Sequence, residues 1–98
     1  MRALIVLPTR DLAHQVHRVF DTYVSGTQLR VGGAYGHKSL AQEQEGLVRR
    51  AVRGPLSLVD VVVATPGRLV DHLKQTAGFT LSHLRFLVSC AVYVYIVY

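Results

Sequence analysis

Residues 3–13 read ALIVLPTRDLA, and residues 61–69 present the same order of residue types as VVVATPGRL. Each begins with continuous aliphatics, which are typical of a strand covered on both faces, as in a parallel sheet. Each then has a Thr ahead of an apolar pattern with helical spacing, and Thr is a favoured N-cap. The two stretches therefore predict strand-to-helix junctions at Thr9 and Thr65.

The segment between the junctions predicts two further pairs of elements. The first helix runs from the Thr9 cap to the SGT sequence at residues 25–27, with apolar side chains on one stripe. A short strand is expected at residues 28–31, a glycine-rich loop at 32–36, and a second helix from the Ser39 cap to about Arg53. Gly54 and Pro55 then end that helix.

The remainder of the chain completes the alternation. Residues 59–64 predict a third strand, and Thr65 with Pro66 at the first helical position predicts a third helix. Gly78 ends this helix, and residues 85–88 are a fourth strand candidate. Strands that alternate with helices favour a single α/β domain with a parallel sheet and flanking helices.

Composition narrows the classes of partner. The 98 residues include 11 Lys and Arg against 6 Asp and Glu, half are hydrophobic, and there is one cysteine. Disorder and a disulfide framework are thereby excluded. The cations are nearly all arginine, which favours planar contacts to phosphate and a polyanionic partner such as nucleic acid. The cluster Arg49, Arg50 and Arg53 is interpreted as a favourable end to the second helix.

The two junctions are the candidate site. In an open α/β sheet, ligands bind at the carboxyl ends of the strands. Free N–H groups at a helix start attract anions, and each junction adds a Thr hydroxyl and an Arg. Two such junctions side by side fit two successive phosphates of a nucleic-acid strand. The chemistry alone also fits two ordinary helix caps.

A resemblance decides between these alternatives. PTRDLA (residues 8–13) is similar to motif Ia of the DEAD-box RNA helicases, and TPGRL (65–69) matches their motif Ib. LRFLV (84–88) resembles the strand that runs into their DEAD motif. The similarity covers the chain through Val88 and is strongest to the nucleolar members that act in large ribosomal subunit assembly. It implies a partial RecA-like fold of the P-loop NTPase type over residues 1–88, and a location in the nucleus and nucleolus.

The resemblance also assigns roles to residues. Pro8, Thr9 and Arg10 would contact the RNA backbone, without reading bases. At the next phosphate, the contacts would come from Thr65, Pro66, Gly67 and Arg68. The family's GG element aligns with Tyr35 and Gly36, although Gly32 and Gly33 form a literal pair upstream. Asp11 stands where the family usually has Glu in motif Ia. Because Asp is one methylene shorter, any ion pair from this position to Arg68 would have to adjust.

The family's catalytic groups are not found in this sequence. ATP and Mg²⁺ are held in the family by a P-loop and by the DEAD carboxylates. The chain carries neither motif, so it is expected to bind no cofactor, to be inactive alone, and to bind RNA weakly. The alternative function is a non-enzymatic α/β protein-interaction module. The oligomeric state stays open.

Several other features are given lesser roles. Residues 32–39, GGAYGHKS, nearly match a P-loop, but His37 replaces the required second glycine. His14 and His17 are interpreted as exposed polar residues, and Cys90 as an inert thiol. Residues 89–98 are a divergent apolar tail. No membrane segment is expected, since the apolar run from residue 86 is shorter than the roughly 20 residues of a membrane helix.

Overall fold

The structure is a computed structural model that describes residues 1–89. The predicted tail lies outside the described residues from position 90 on, and with it Cys90. The described elements are β1 (Ala3–Val6), α1 (Arg10–Val24), β2 (Val31–Ala34), α2 (Leu40–Leu47), β3 (Val48–Ala51), β4 (Gly54–Ser57), β5 (Val61–Ala64), α3 (Pro66–Gln75) and β6 (Phe86–Ser89).

Four strands form one parallel sheet in the order β2-β5-β1-β6. β5 lies between β2 and β1, with Val63 opposite Gly33 on one side and Ile5 on the other. β6 pairs with the other edge of β1. The predicted fold class, a mainly parallel sheet with flanking helices, is confirmed.

Alternate residues of each strand point to opposite faces, and both faces are buried. Leu4 and Val6 pack with Val62, Leu47 and Phe79 on the face that α2 and α3 cover. Ile5 and Leu7 pack on the other face with Val63, and helix α1 covers them through Ala13, Val16 and Phe20. This two-sided burial is why the strand sequences are continuously aliphatic.

The second strand is displaced from its predicted position. It spans Val31–Ala34 instead of 28–31, so Gly32 and Gly33 lie within the sheet and not in a loop. A Cβ on Gly32 would lie 2.8 Å from Leu47 Cδ2, and one on Gly33 would lie 2.7 Å from the Tyr35 ring. The glycines allow neighbouring side chains to approach both faces of this edge strand.

The second helix is shorter than predicted. It ends at Leu47, and Val48 turns to an extended conformation (φ −138°, ψ 153°). The chain then forms an antiparallel hairpin, in which Arg49 lies opposite Leu56 and Arg50 opposite Pro55. Arg49, Arg50 and Arg53 therefore belong to this hairpin, and their assignment to a helix end is wrong. β-branched residues at positions 48 and 52 and the Gly54 turn (φ 110°) favour the hairpin.

The remaining boundaries differ by one to three residues from those predicted. β5 begins at Val61 instead of 59, β6 covers Phe86–Ser89, and α3 ends at Gln75, ahead of Gly78. Within residues 1–89, none of the helices combines the length and apolarity needed to cross a membrane.

Candidate nucleic-acid interface

The two predicted junctions are neighbours in space. Val6 of β1 lies opposite Ala64 of β5, and the Leu7 N–H donates to the Ala64 carbonyl at 2.9 Å. Both strands therefore end at the same level, and α1 and α3 start side by side. Thr9 caps α1 by accepting a hydrogen bond from the Leu12 N–H at 3.3 Å. Thr65 is the N-cap residue of α3, but its hydroxyl makes no capping bond.

The predicted site residues converge on one shallow depression at this edge of the sheet. It is lined by Pro8, Arg10, Tyr35, Gly36, Thr65, Gly67, Arg68 and Asp71. We call it the junction surface. Thr9 and Pro66 adjoin it in the chain and are exposed. The structure thus brings together residues that lie as many as 60 positions apart in the sequence.

Two arginines of the junction surface flank the turn at Gly36. This glycine has φ +85°, a conformation that glycine adopts without strain. A Cβ at this position would lie 3.6 Å from Arg68 Nη2 and 3.7 Å from Arg10 Nε. Arg10 is exposed and makes no ion pair within residues 1–89. The turn and both guanidinium groups therefore share one anion-attracting edge.

A buried carboxylate holds this turn and Arg68 in place. Glu43 of α2 is 5% exposed. Its Oε2 accepts hydrogen bonds from the backbone N–H groups of Tyr35, at 3.1 Å, and Gly36, at 2.9 Å. Its Oε1 lies 2.9 Å from Arg68 Nε and 2.9 Å from His72 Nε2. The Glu43 carboxylate thus joins α2 to the turn after β2 and to α3 through four contacts.

The network continues behind Arg68. His72 is fully buried, and its Nδ1 lies 2.7 Å from Thr76 Oγ1, which also accepts from Gln44 Nε2 at 3.0 Å. This pattern fits a His72 that donates from Nε2 to Glu43 and accepts from the Thr76 hydroxyl. Every buried polar side-chain atom of the described residues has a partner. The Arg68 side chain is consequently positioned by buried polar groups that all have hydrogen-bond partners.

Arg68 retains donors for a ligand. Its Nε faces Glu43, and its Nη2 donates to the Lys38 carbonyl at 3.0 Å. A guanidinium has five N–H groups, so the remaining ones are available to an anion at the junction surface. The acidic partner of Arg68 is Glu43 on α2, and not Asp11. The sequence reasoning missed Glu43 and gave His72 no role, since partners 25 and 29 residues from Glu43 leave no periodic signal.

The histidines beside this edge are more constrained than predicted. His14 and His17 are half-buried, and both Nδ1 atoms bond the Tyr35 hydroxyl, at 3.2 and 2.8 Å. Their interpretation as exposed residues is wrong, because the Tyr35 side chain folds against α1. Burial lowers the pKa of His17, although Asp21 acts against this, and burial also raises the pKa of the Tyr35 phenol. The described residues contain no cluster that could hold a metal ion.

The stretch that nearly matches a P-loop does not fit a nucleotide. Gly32 and Gly33, its first two residues, are part of β2 and pack against side chains. His37 stands where the backbone must wrap closely around phosphate. The residues present therefore form no phosphate-binding loop for ATP at this position.

Comparison with known proteins connects this geometry to a family. The DEAD/DEAH box helicase family model matches residues 1–89. The chain is 58% identical over 88 residues to the human ATP-dependent RNA helicase DDX51. The aligned region covers 90% of this chain and 13% of the relative. The chain is also 46% identical over 101 residues to the DEAD-box ATP-dependent RNA helicase 1 of Oryza sativa subsp. japonica, and this alignment covers 90% of the chain and 19% of the relative.

A fungal protein extends the comparison. The ATP-dependent RNA helicase dbp6 of Aspergillus niger is 42% identical over 88 residues, with 90% of this chain and 15% of the relative covered. The chain thus spans less than a fifth of the length of these curated relatives. A family match over residues 1–89, on a parallel sheet whose junctions carry PTRDLA and TPGRL, establishes the family and the partial RecA-like fold. The chain belongs to the DEAD/DEAH box helicase family.

Proposed function

We propose that the junction surface binds the phosphate backbone of single-stranded RNA, as part of an RNA helicase. One observation carries the proposal: two helix starts, two arginines and the Gly36 turn meet on a single depression. Pro8, Thr9 and Arg10 of the first junction hold one phosphate. The second junction, with Thr65, Pro66, Gly67 and Arg68, holds the next. Such contacts position RNA without reading its sequence.

The geometry supports different contributions of Arg68 and Arg10 to phosphate binding. Arg68 is fixed by Glu43 and the Lys38 carbonyl, so it offers donors in a set orientation. Arg10 has no such restraint among the described residues and contributes mainly charge. Arg10 is therefore the better residue to substitute, because its loss leaves the Glu43 network intact.

The RNA affinity of Arg10→Ala tests the proposal. A labelled uridine oligonucleotide is titrated with the 98-residue chain, and its anisotropy is followed at several salt concentrations. Loss of one phosphate contact reduces the slope of log K against log salt by about 0.7 for a single strand. Arg18→Ala is the matched control, because it removes an exposed arginine two turns further along α1.

The comparison of Arg10→Ala with Arg18→Ala shows whether RNA binds at the junction surface or responds only to net charge. The proposal predicts weaker binding and a shallower salt slope for Arg10→Ala, with Arg18→Ala close to the unsubstituted chain. Equal effects of both variants would mean that RNA responds only to net charge, and the assigned surface would be wrong. RNA-indifferent self-association on size-exclusion chromatography would favour the interaction-module alternative.

We propose further that these residues act without a nucleotide of their own. In the family, ATP and Mg²⁺ are bound through a P-loop and the DEAD carboxylates, and the described fold contains no such loop at the near match. Adding ATP and Mg²⁺ is expected to leave the RNA affinity of this chain unchanged. A nucleotide-dependent affinity would contradict this.

The resemblance of residues 28–44, 61–73 and 76–88 to nucleolar helicases supports a location and a process for the parent protein. We propose the nucleolus and the assembly of the large ribosomal subunit, with RNA unwinding coupled to ATP hydrolysis as the activity of the whole. Imaging of the tagged protein, with sedimentation of large-subunit precursors, tests this. Diffuse cytoplasmic signal and no co-sedimentation would refute it.

A further inference from the structure

The β3–β4 hairpin contributes no residue to the junction surface. It carries Arg49, Arg50 and Arg53, all exposed. None of the three forms an ion pair within residues 1–89. A groove lies between the hairpin, α2 and residues 75–77, and Glu45 lines it without an ion pair to these arginines. The hairpin thus presents three uncompensated positive charges within five residues.

The hairpin is firmly joined to the body of the domain. The Leu58 N–H donates to the Leu47 carbonyl at 2.9 Å, which closes its base. The Ser57 hydroxyl lies 3.2 Å from the amino group of Met1 and donates to the Val59 carbonyl at 3.0 Å. Gly78 packs against the hairpin so closely that a Cβ there would lie 2.6 Å from Pro55 Cβ. The arginines therefore project from a fixed base.

The hairpin lies at the opposite edge of the sheet from the junction surface. Helix α2 starts beside the Gly36 turn and ends at Leu47, where the hairpin begins. Its eight residues separate the two surfaces by about 12 Å along the helix axis. At physiological salt, charges interact over only about 8 Å. The hairpin is thus electrostatically separate from RNA held at the junctions.

The side chains between the arginines favour a protein over RNA. Val52 at the tip is fully exposed, at 106%, and Leu56 opposite Arg49 is 47% exposed. Residues 48–57 contain no aromatic ring on which a base could stack. Arginine is enriched at protein–protein interfaces relative to the rest of the protein surface. The groove between the hairpin, α2 and residues 75–77 adds a concave wall lined by Arg49 and Arg50.

From these observations we infer that the hairpin is a docking site for an acidic segment of a partner protein, with carboxylates for the arginines and an aliphatic side chain against Val52 and Leu56. Charge complementarity selects the partner, and the apolar contacts give it affinity beyond charge. The site is independent of the junction surface, so a protein and RNA can occupy the domain at the same time.

Binding of a designed peptide tests this inference. The probe is a short labelled peptide in which pairs of Glu alternate with single Leu or Val, and its anisotropy is followed with the 98-residue chain. Arg49→Glu with Arg53→Glu is expected to weaken binding about tenfold or more, as two contacts become repulsive. The control, Arg18→Glu on α1, reverses an exposed charge at the other face of the sheet and is expected to bind within about twofold.

The possible results separate the proposal from its rivals. Loss confined to the hairpin variant, with the peptide still bound in the presence of saturating uridine oligonucleotide, supports the docking site. Equal losses in both variants, no binding by the unsubstituted chain, or displacement of the peptide by the oligonucleotide each overturns it. Displacement would identify the hairpin as an RNA surface. Arg49→Gln with Arg53→Gln, checked by circular dichroism, repeats the test if the Glu variant does not fold.

Discussion

Replacement of Glu43 by Gln tests whether the buried carboxylate holds the candidate site together. Glu43 Oε2 accepts from the Tyr35 and Gly36 N–H groups, and Oε1 faces Arg68 and His72. A Gln side chain keeps one oxygen and places an NH₂ group where the other was. Whichever way the amide turns, two donors lose their acceptor.

The expected loss in the free energy of unfolding follows from the burial of Glu43 and its partners. A buried donor left without an acceptor costs about 1–3 kcal/mol. Removing one partner of a buried ion pair costs about 3–5 kcal/mol, which is reduced here because Arg68 is 24% exposed and can turn toward water. We expect Glu43→Gln to lower the free energy of unfolding by about 3 kcal/mol. This is a large share of the roughly 5–15 kcal/mol of a typical domain.

Urea unfolding followed by circular dichroism measures the effect. Glu45→Gln is the control, because Glu45 is on the same helix, is exposed, and makes no ion pair within residues 1–89. The control is expected to stay within about 0.5 kcal/mol of the unsubstituted chain. If Glu43→Gln unfolds at the same urea concentration as the control, the network does not stabilise the Gly36 turn, and the reasoning is refuted.

Three further predictions concern Gly33 of β2, Gly46 of α2 and His17 of α1. Gly33→Ala places a Cβ 2.7 Å from the Tyr35 ring and 3.0 Å from His17 Nδ1, so thermal unfolding is expected to show a loss of about 1–3 kcal/mol. Gly46→Ala on α2 meets nothing within 4 Å and is expected to gain about 0.5–1 kcal/mol; equal effects of the two would contradict the packing account. The pKa of His17 is lowered by burial, so the unfolded chain binds more protons. Stability is therefore complete above the unfolded pKa and falls as pH drops below about 6.5; His17→Gln should flatten that dependence in urea titrations, and an unchanged pH profile would refute the assignment.

The parts of the fold predicted correctly are those with a local physical cause. Two-sided burial makes β1 and β5 continuously aliphatic, and Thr before an amphipathic pattern marks the starts of α1 and α3. These are also the elements that build the junction surface. The prediction that the two junctions come together follows from parallel strands ending at the same edge.

The errors have a tertiary cause. Gly32 and Gly33 indicate a loop by local preference, yet they are required in β2 because Leu47 and Tyr35 approach it closely. Residues 48–53 have a pattern compatible with helix continuation, and only the cross-strand partners in β4 decide for a hairpin. Glu43 has no local signal for its role, because its side-chain partners, Arg68 and His72, come from a helix that follows later in the chain.

The most direct test of the central claim is a nuclear magnetic resonance titration of the ¹⁵N-labelled chain with a short uridine oligonucleotide. The account predicts that amide resonances of Thr9, Arg10, Gly36, Gly67 and Arg68 shift together with one dissociation constant, and that added salt reverses the shifts. Resonances of the hairpin residues would stay in place. Shifts confined to the hairpin, or an unchanged junction surface at saturating oligonucleotide, would contradict the claim that RNA binds at the two strand-to-helix junctions.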